Sequence, residues 1–259
     1  MKIIKYTLIL ISVICFMLIS KGENMKENSI TIVYNNYRSK NKLETGWGFS
    51  AYIEFNNKKI LFDTGGEGFK FLHNINKLDI NLTKLDFIFL SHHHWDHVGG
   101  FDDKIQKFSN KKVFVPEDYN TKKHDSKNIT FIKKNKFSKI AKNTYTTGQL
   151  GKKLKEQSLV IDTHKGLIII TGCAHPGVEN IVKEVRKNIK KDIYLVTGGF
   201  HLKGSSKKHV LDVINKLKNN GVINVAPSHC TGDDAIGLFR ENWEDKNFIK
   251  LYLGDNFKF

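Results

Sequence analysis

The stretch LSHHHWDHVGG, residues 90–100, places four histidines and one aspartate within six consecutive positions, His92 to His97, directly after an apolar run. Imidazole and carboxylate are ligands suited to zinc, and they also serve iron and manganese. In an extended loop, residues two apart project to the same side. His92, His94 and Asp96 can therefore converge on one point, while His97 opens the next helix and faces a neighbouring point. The same alternation turns His93 the other way. The spacing predicts two adjacent metal positions and a metal-assisted reaction on a polar bond.

A ligand loop needs a frame. The segments SITIVY (29–34), GFSAYIEF (48–55) and KKILFDTGG (58–66) read as strands, followed by a helical pattern over 67–77 and the buried-type strand LDFIFL (85–90). A helix is expected over 98–108, so the cluster lies between a strand and a helix. Further strands are predicted at 111–116, 157–163 and 166–173, the last two joined as a hairpin at His164-Lys165-Gly166. The second half alternates helix 177–190, strand 192–200, helix 205–219, strand 222–229, helix 233–243 and a final strand 248–254. The lysine- and asparagine-rich stretch 119–147 reads as a long irregular region.

Several of these strands end in residues with metal or proton chemistry. IIITGCAHPG carries Cys173 and His175, TGGFHL carries His201, and VINVAPSHC carries His229 and Cys230. An exported protein could join Cys173 to Cys230 in a disulfide, although the histidines beside them suggest other work. Asp255, in the late Gly-Asp pair after His229, reads as structural.

The chain has 259 residues, 40% of them hydrophobic, enough for one full-sized domain. Residues 1–24 stand apart from it as a signal peptide or N-terminal membrane anchor. Lys2 and Lys5 precede the uncharged, almost wholly apolar run from Tyr6 to Ser20, which is at the short end of what spans a bilayer. The expected location is therefore exported or anchored, at the cell envelope or outside it.

The net charge of +16 comes from 42 Lys+Arg against 26 Asp+Glu, but only Arg38, Arg186 and Arg240 are arginines. Arginine supplies the planar fork for phosphates and base edges, so its scarcity speaks against a nucleic-acid partner. Lysines scattered over solvated faces account for most of the charge. They leave room for a small-molecule substrate, phosphorylated or otherwise anionic, and for a membrane contact through an uncleaved N-terminal segment.

On FDTGG, HHHWDH and the late His229, the chain resembles the metallo-β-lactamase superfamily over residues 29 to 259. The resemblance implies an α+β fold, a four-layer αββα sandwich with a binuclear metal site on one edge. It assigns His92 and His94 to one metal, Asp96, His97 and His229 to the other, and gives Asp63 the task of orienting ligands by hydrogen bonds. The chain departs from the common pattern, in which a histidine is followed by a bridging aspartate. Cys173 or His175 would then do that aspartate's work.

TGCAHPG, TGGFHL and PSHCTG together resemble the subgroup labelled 7,8-dihydropterin-6-yl-methyl-4-(β-D-ribofuranosyl)aminobenzene 5'-phosphate synthase, whose usual PCHCTG has Ser228 here in place of its first cysteine. The expectation is a hydrolase of an ester, lactone, amide or phosphoester that uses two divalent ions, zinc first and iron or manganese as alternatives. Asp96 would orient the bridging hydroxide, and His201 or a metal-bound water would protonate the leaving group. A transferase of the pterin-phosphate synthase kind and a membrane-tethered, non-catalytic metal sensor are the competing readings.

Overall fold

The structure is a computed structural model that describes residues 27–259 except 39, 41 and 125–127. The signal or anchor segment expected at residues 1–24 lies outside the described residues. Among those described, no helix is long and apolar enough to cross a membrane.

Two sheets face each other. The first has seven strands in the order β13-β1-β2-β3-β4-β5-β6, and the second has six in the order β12-β11-β10-β9-β8-β7. In the first sheet, β1 (Ser29–Asn35), β2 (Phe49–Phe55) and β3 (Lys58–Phe62) form an antiparallel meander. The sheet turns parallel through β4 (Phe87–Phe89), β5 (Lys112–Val115) and β6 (Thr130–Lys133). In the second sheet, β7 (Ser138–Ala141), β8 (Thr144–Thr146), β9 (Leu159–Thr163) and β10 (Gly166–Thr171) are antiparallel. There β11 (Ile193–Gly199) and β12 (Val222–Ser228) extend the sheet in parallel. The short β13 (Asn256–Lys258) closes the first sheet beside β1.

Strand alternation divides the apolar residues into three layers. Phe87 and Phe89 of β4 pack between the sheets with Ile168 and Ile170 of β10. Ile88 points the other way, toward Phe71 and Ile75 of α1 (Gly68–Lys77) and Val98 and Phe101 of α2 (Trp95–Asp103). Leu167 and Ile169 face the outer helices of the second sheet. There Val178, Ile181, Val182 and Val185 of α3 (Val178–Asn188) recur at helical spacing, joined by α4 (Lys207–Asn219) and α5 (Asp233–Asn242). Helix, sheet, sheet, helix is the four-layer α+β sandwich that the resemblance implied.

Three local expectations are corrected. The helix after the histidine cluster begins at Trp95 rather than Val98 and ends at Asp103, with a 3-10 turn over residues 105–108. Residues 119–147 contain the three strands β6, β7 and β8. The strand expected over 248–254 does not form. Its Ile249 N–H donates to Val225 and its Leu253 N–H to Tyr37, so its backbone groups serve different partners and build no ladder.

Candidate metal centre

The parallel strand β4 delivers the chain to the sheet edge, where residues 90–94 form a short connection and His94, in an extended conformation, becomes the N-cap of α2. His97 thus lies in the first turn of the helix as expected, and Asp96 joins it there instead of belonging to the extended loop that two-residue alternation assumed. Asp96 sits where a helix N-terminus favours negative charge. The helix is pressed onto the β3 exit: Thr64 N–H donates to His97 O at 2.8 Å, and a Cβ on Gly99 would lie 1.9 Å from Gly66 O.

Two ligand sets gather at this edge. Ring nitrogens of His92, His94 and His175 form one, and Asp96, His97, Cys173 and His229 form the other, with the ligand atoms of each set within 4.8 Å of one another. His175 thus joins the two early histidines, and Cys173 stands with the aspartate. Cys173 also belongs to a third group with His201 and Cys230. His93 turns outward to within 3.6 Å of Asp118. Asp255 accepts the Tyr252 N–H at the far end of the chain. Cys173 and Cys230 are both buried free thiols, so the disulfide considered from sequence is not formed.

Asp63 is fully buried, in a left-handed conformation with φ 48°, and accepts three hydrogen bonds. Ser91 donates its N–H at 2.7 Å and its hydroxyl at 2.6 Å, and His97 Nδ1 lies at 2.8 Å. Ser91 Oγ is also 2.9 Å from His92 Nδ1. On the other flank, His229 Nδ1 is 2.9 Å from Asn36 Oδ1. Each contact occupies Nδ1 and leaves Nε2 facing inward, the arrangement that orients metal-binding histidines.

Glu156 is one of the site residues that sequence reasoning missed. Its buried carboxylate accepts the Thr171 hydroxyl and the N–H groups of Gly172, Cys173 and Ala174 on Oε1, and the His175 N–H on Oε2. A single glutamate in the lysine-rich run KKLKEQS gives no sequence signal of this role. Ser91 and Asn36 were missed for the same reason: neither is a residue type that announces a metal site.

Burial sets the protonation of the three-histidine set. It pushes His92 well below the ordinary imidazole range and His175 down to about 3, with neighbouring rings adding to both, and it lowers His94 as well. In the mixed set, burial works against Asp96 ionising, but the adjacent His229 and His97 outweigh it and hold the carboxyl at about 2. Burial would also lower His97, yet Asp63 overrides it and lifts the ring to about 9, while burial raises Asp63 itself. Both shifts keep a proton between Asp63 and His97.

The donor geometry suits metal ions. Nε2 of His92, His175 and His229 is buried with no hydrogen-bond partner, although His229 Nε2 lies 3.3 Å from Asp96 Oδ2 outside hydrogen-bonding geometry. Three such orphaned acceptors at one edge would be costly without a ligand. A cavity of about 630 Å³ opens against His175, lined by Leu150, Lys152, Lys153, Leu154 and Pro176 among others.

Fold and ligand sets together define a metallohydrolase-type scaffold, and residues 47–178 match the model of the metallo-beta-lactamase superfamily. The chain belongs to that superfamily and is an enzyme of this class. It is 30% identical over 93% of its length, and 99% of the relative's, to a 7,8-dihydropterin-6-methyl-4-(beta-D-ribofuranosyl)-aminobenzene-5'-phosphate synthase of Methanocaldococcus jannaschii. Among solved structures, a metal-dependent hydrolase of the beta-lactamase superfamily superposes with a TM-score of 0.76 at 26% identity, covering 90% of this chain and 99% of that one. The metallo-beta-lactamase fold protein YhfI of Bacillus subtilis, at 12% identity and a TM-score of 0.65, covers 90% of this chain and 100% of its own and shares the fold.

Proposed function

We propose that the chain is a metal-dependent hydrolase that cleaves an ester, lactone, amide or phosphoester in a small molecule. The observation that carries this reading is the trio of buried imidazole Nε2 atoms without partners, of His92, His175 and His229, spread across two adjoining ligand sets. His92, His94 and His175 would hold one divalent ion, and Asp96, His97, Cys173 and His229 a second. The mixture of imidazole, carboxylate and thiolate favours zinc over harder ions. Such ions, when bound, lower the pKa of a water and polarise the group under attack.

The chain's own residues supply the rest. The Asp96 carboxyl, held at about 2, stays ionised at neutral pH, and its free lone pairs can accept a hydrogen bond from the attacking water and aim it. His201 sits 4.3 Å from the His175 ring, centroid to centroid, and hydrogen bonding with Cys230 raises its pKa against the effect of burial. A protonated His201 ring nitrogen can donate to the leaving group. The cavity beside His175 gives a substrate room on the open side.

A second reading has its own support. The similarity over 99% of that relative's length to a 7,8-dihydropterin-6-methyl-4-(beta-D-ribofuranosyl)-aminobenzene-5'-phosphate synthase favours a transferase-type condensation, in which the new bond forms as phosphate or pyrophosphate is displaced. The apolar run from Tyr6 to Ser20 supports an exported or membrane-anchored enzyme in either case. Cell fractionation with and without residues 1–24 tests the location, and an unchanged cytosolic fraction would overturn it.

The test of function is elemental analysis of the full chain, reconstituted with zinc, iron or manganese, beside an assay of generic esters, lactones and phosphodiesters and a His94→Ala variant. About two ions per chain and turnover lost in the variant are expected. Less than one ion per chain would sink the proposal, and ions without hydrolysis would move the assignment to the synthase.

A further inference from the structure

Trp47 lies against the mixed ligand set. Its ring centroid is 5.0 Å from that of His229, tilted by 56°, and 37% of the residue stays exposed. The ammonium of Lys203 stands 4.6 Å above the same indole. Lys203 is fixed from below: its N–H donates to Cys230 O at 3.2 Å, and its neighbour Leu202 is buried. Among the described residues no carboxylate pairs with this lysine.

An indole face holds a cation without neutralising it, so the charge and the outward N–H donors of Lys203 are still free to act. The same indole is in ring contact with His229. Lys203 is itself exposed, so it is a solvent-reachable point charge beside the metal centre, able to make a charge-assisted hydrogen bond to an incoming anion.

We propose that Lys203, held by Trp47, is an anion-binding residue of the substrate site and takes a phosphate or carboxylate group carried by the substrate. The assignment rests on the hydrolase reading above for the identity of the reacting bond, but not for the anion site itself. Among the described residues, no other lysine sits over an aromatic ring that itself touches a candidate ligand.

The test is isothermal titration of inorganic phosphate, and separately of acetate, into the full chain, both metal-loaded and chelated. Lys203→Met keeps the stem over Trp47 and removes the charge, Lys203→Arg restores the charge, and Lys207→Met removes a charge from the exposed start of α4. The expected result is about a 10-fold rise in Kd for the preferred anion in Lys203→Met, rescue in Lys203→Arg and no change in Lys207→Met, with the tighter anion naming the group. Equal binding by Lys203→Met and the parent chain would overturn the proposal, as would an equal loss in Lys207→Met or no anion binding at all. A loaded enzyme that hydrolyses no ester yet binds phosphate through Lys203 removes the hydrolase reading alone. Hydrolysis with no Lys203 effect removes this inference alone.

Discussion

The two ligand sets differ in how the protein prepares them. The three-histidine set, His92, His94 and His175, is made of rings whose pKa values are all lowered, chiefly by burial, so it presents neutral lone pairs. The mixed set of Asp96, His97, Cys173 and His229 is charged and is held by named partners, Asp63 on His97 and Asn36 on His229. One set is shaped by desolvation and the other by hydrogen bonds. They share two supports: Asp63, which reaches His97 directly and His92 through Ser91, and Glu156, whose carboxylate holds the backbone of both Cys173 and His175.

Removing the deeper shared support should erase the difference altogether. In Glu156→Ala, the four backbone N–H groups of residues 172–175 and the Thr171 hydroxyl lose their acceptor in a buried place, at about 1–3 kcal/mol for each group left unsatisfied. Urea unfolding of the metal-free protein should show several kcal/mol of lost stability, and elemental analysis should show both ions lost. A variant that unfolds within about 1 kcal/mol of the parent would mean that Glu156 does not organise this loop.

Asp63→Asn should tilt the comparison instead of erasing it. The amide keeps the shape and one acceptor oxygen but loses the charge that lifts His97. Changes to groups that orient metal ligands typically cost about 10–100-fold in metal affinity. Competition with a chelator should show that loss for the mixed set and a smaller one for the three-histidine set, which feels Asp63 only through Ser91. Equal losses in both would show that the Ser91 relay matters as much as the direct bond.

How much of this was readable in the sequence follows the same division. His92, His94, Asp96 and His97 stand in one short motif after a strand, so residue type and spacing exposed them, while the supporting task of Asp63 came from the family resemblance. The neighbourhood of Cys173 and His175 was visible but their partition was not, because which set each joins depends on how the 172–175 loop is pinned. The glutamate that pins it lies 16 to 19 residues upstream. Among the frame elements, apolar strands such as β4 and β10 were legible. Strands β6 and β7 were not, since they are short, lysine-bearing and without a buried residue. The reverse error over 248–254 came from real burial of Leu251, Tyr252 and Leu253 in a segment whose isolated bridges go to different partners, Val225 and Arg38, and build no ladder.

The smallest expected effect gives the sharpest comparison. Asn36 reaches the centre only through His229, with its Oδ1 on Nδ1 and its Nδ2 3.4 Å from the same residue's carbonyl. Asn36→Ala should therefore leave the three-histidine set alone and weaken the mixed set by no more than about 10-fold, the low end for a lost orienting hydrogen bond. Stability should fall by about 1 kcal/mol, since a single hydrogen bond at a half-buried position is lost. Stepwise chelation should release one ion earlier than in the parent chain and the other at the parent's concentration. If both ions leave together, the sets are coupled through the groups they share, and Cys173 and Asp96 would have to be treated as parts of one centre.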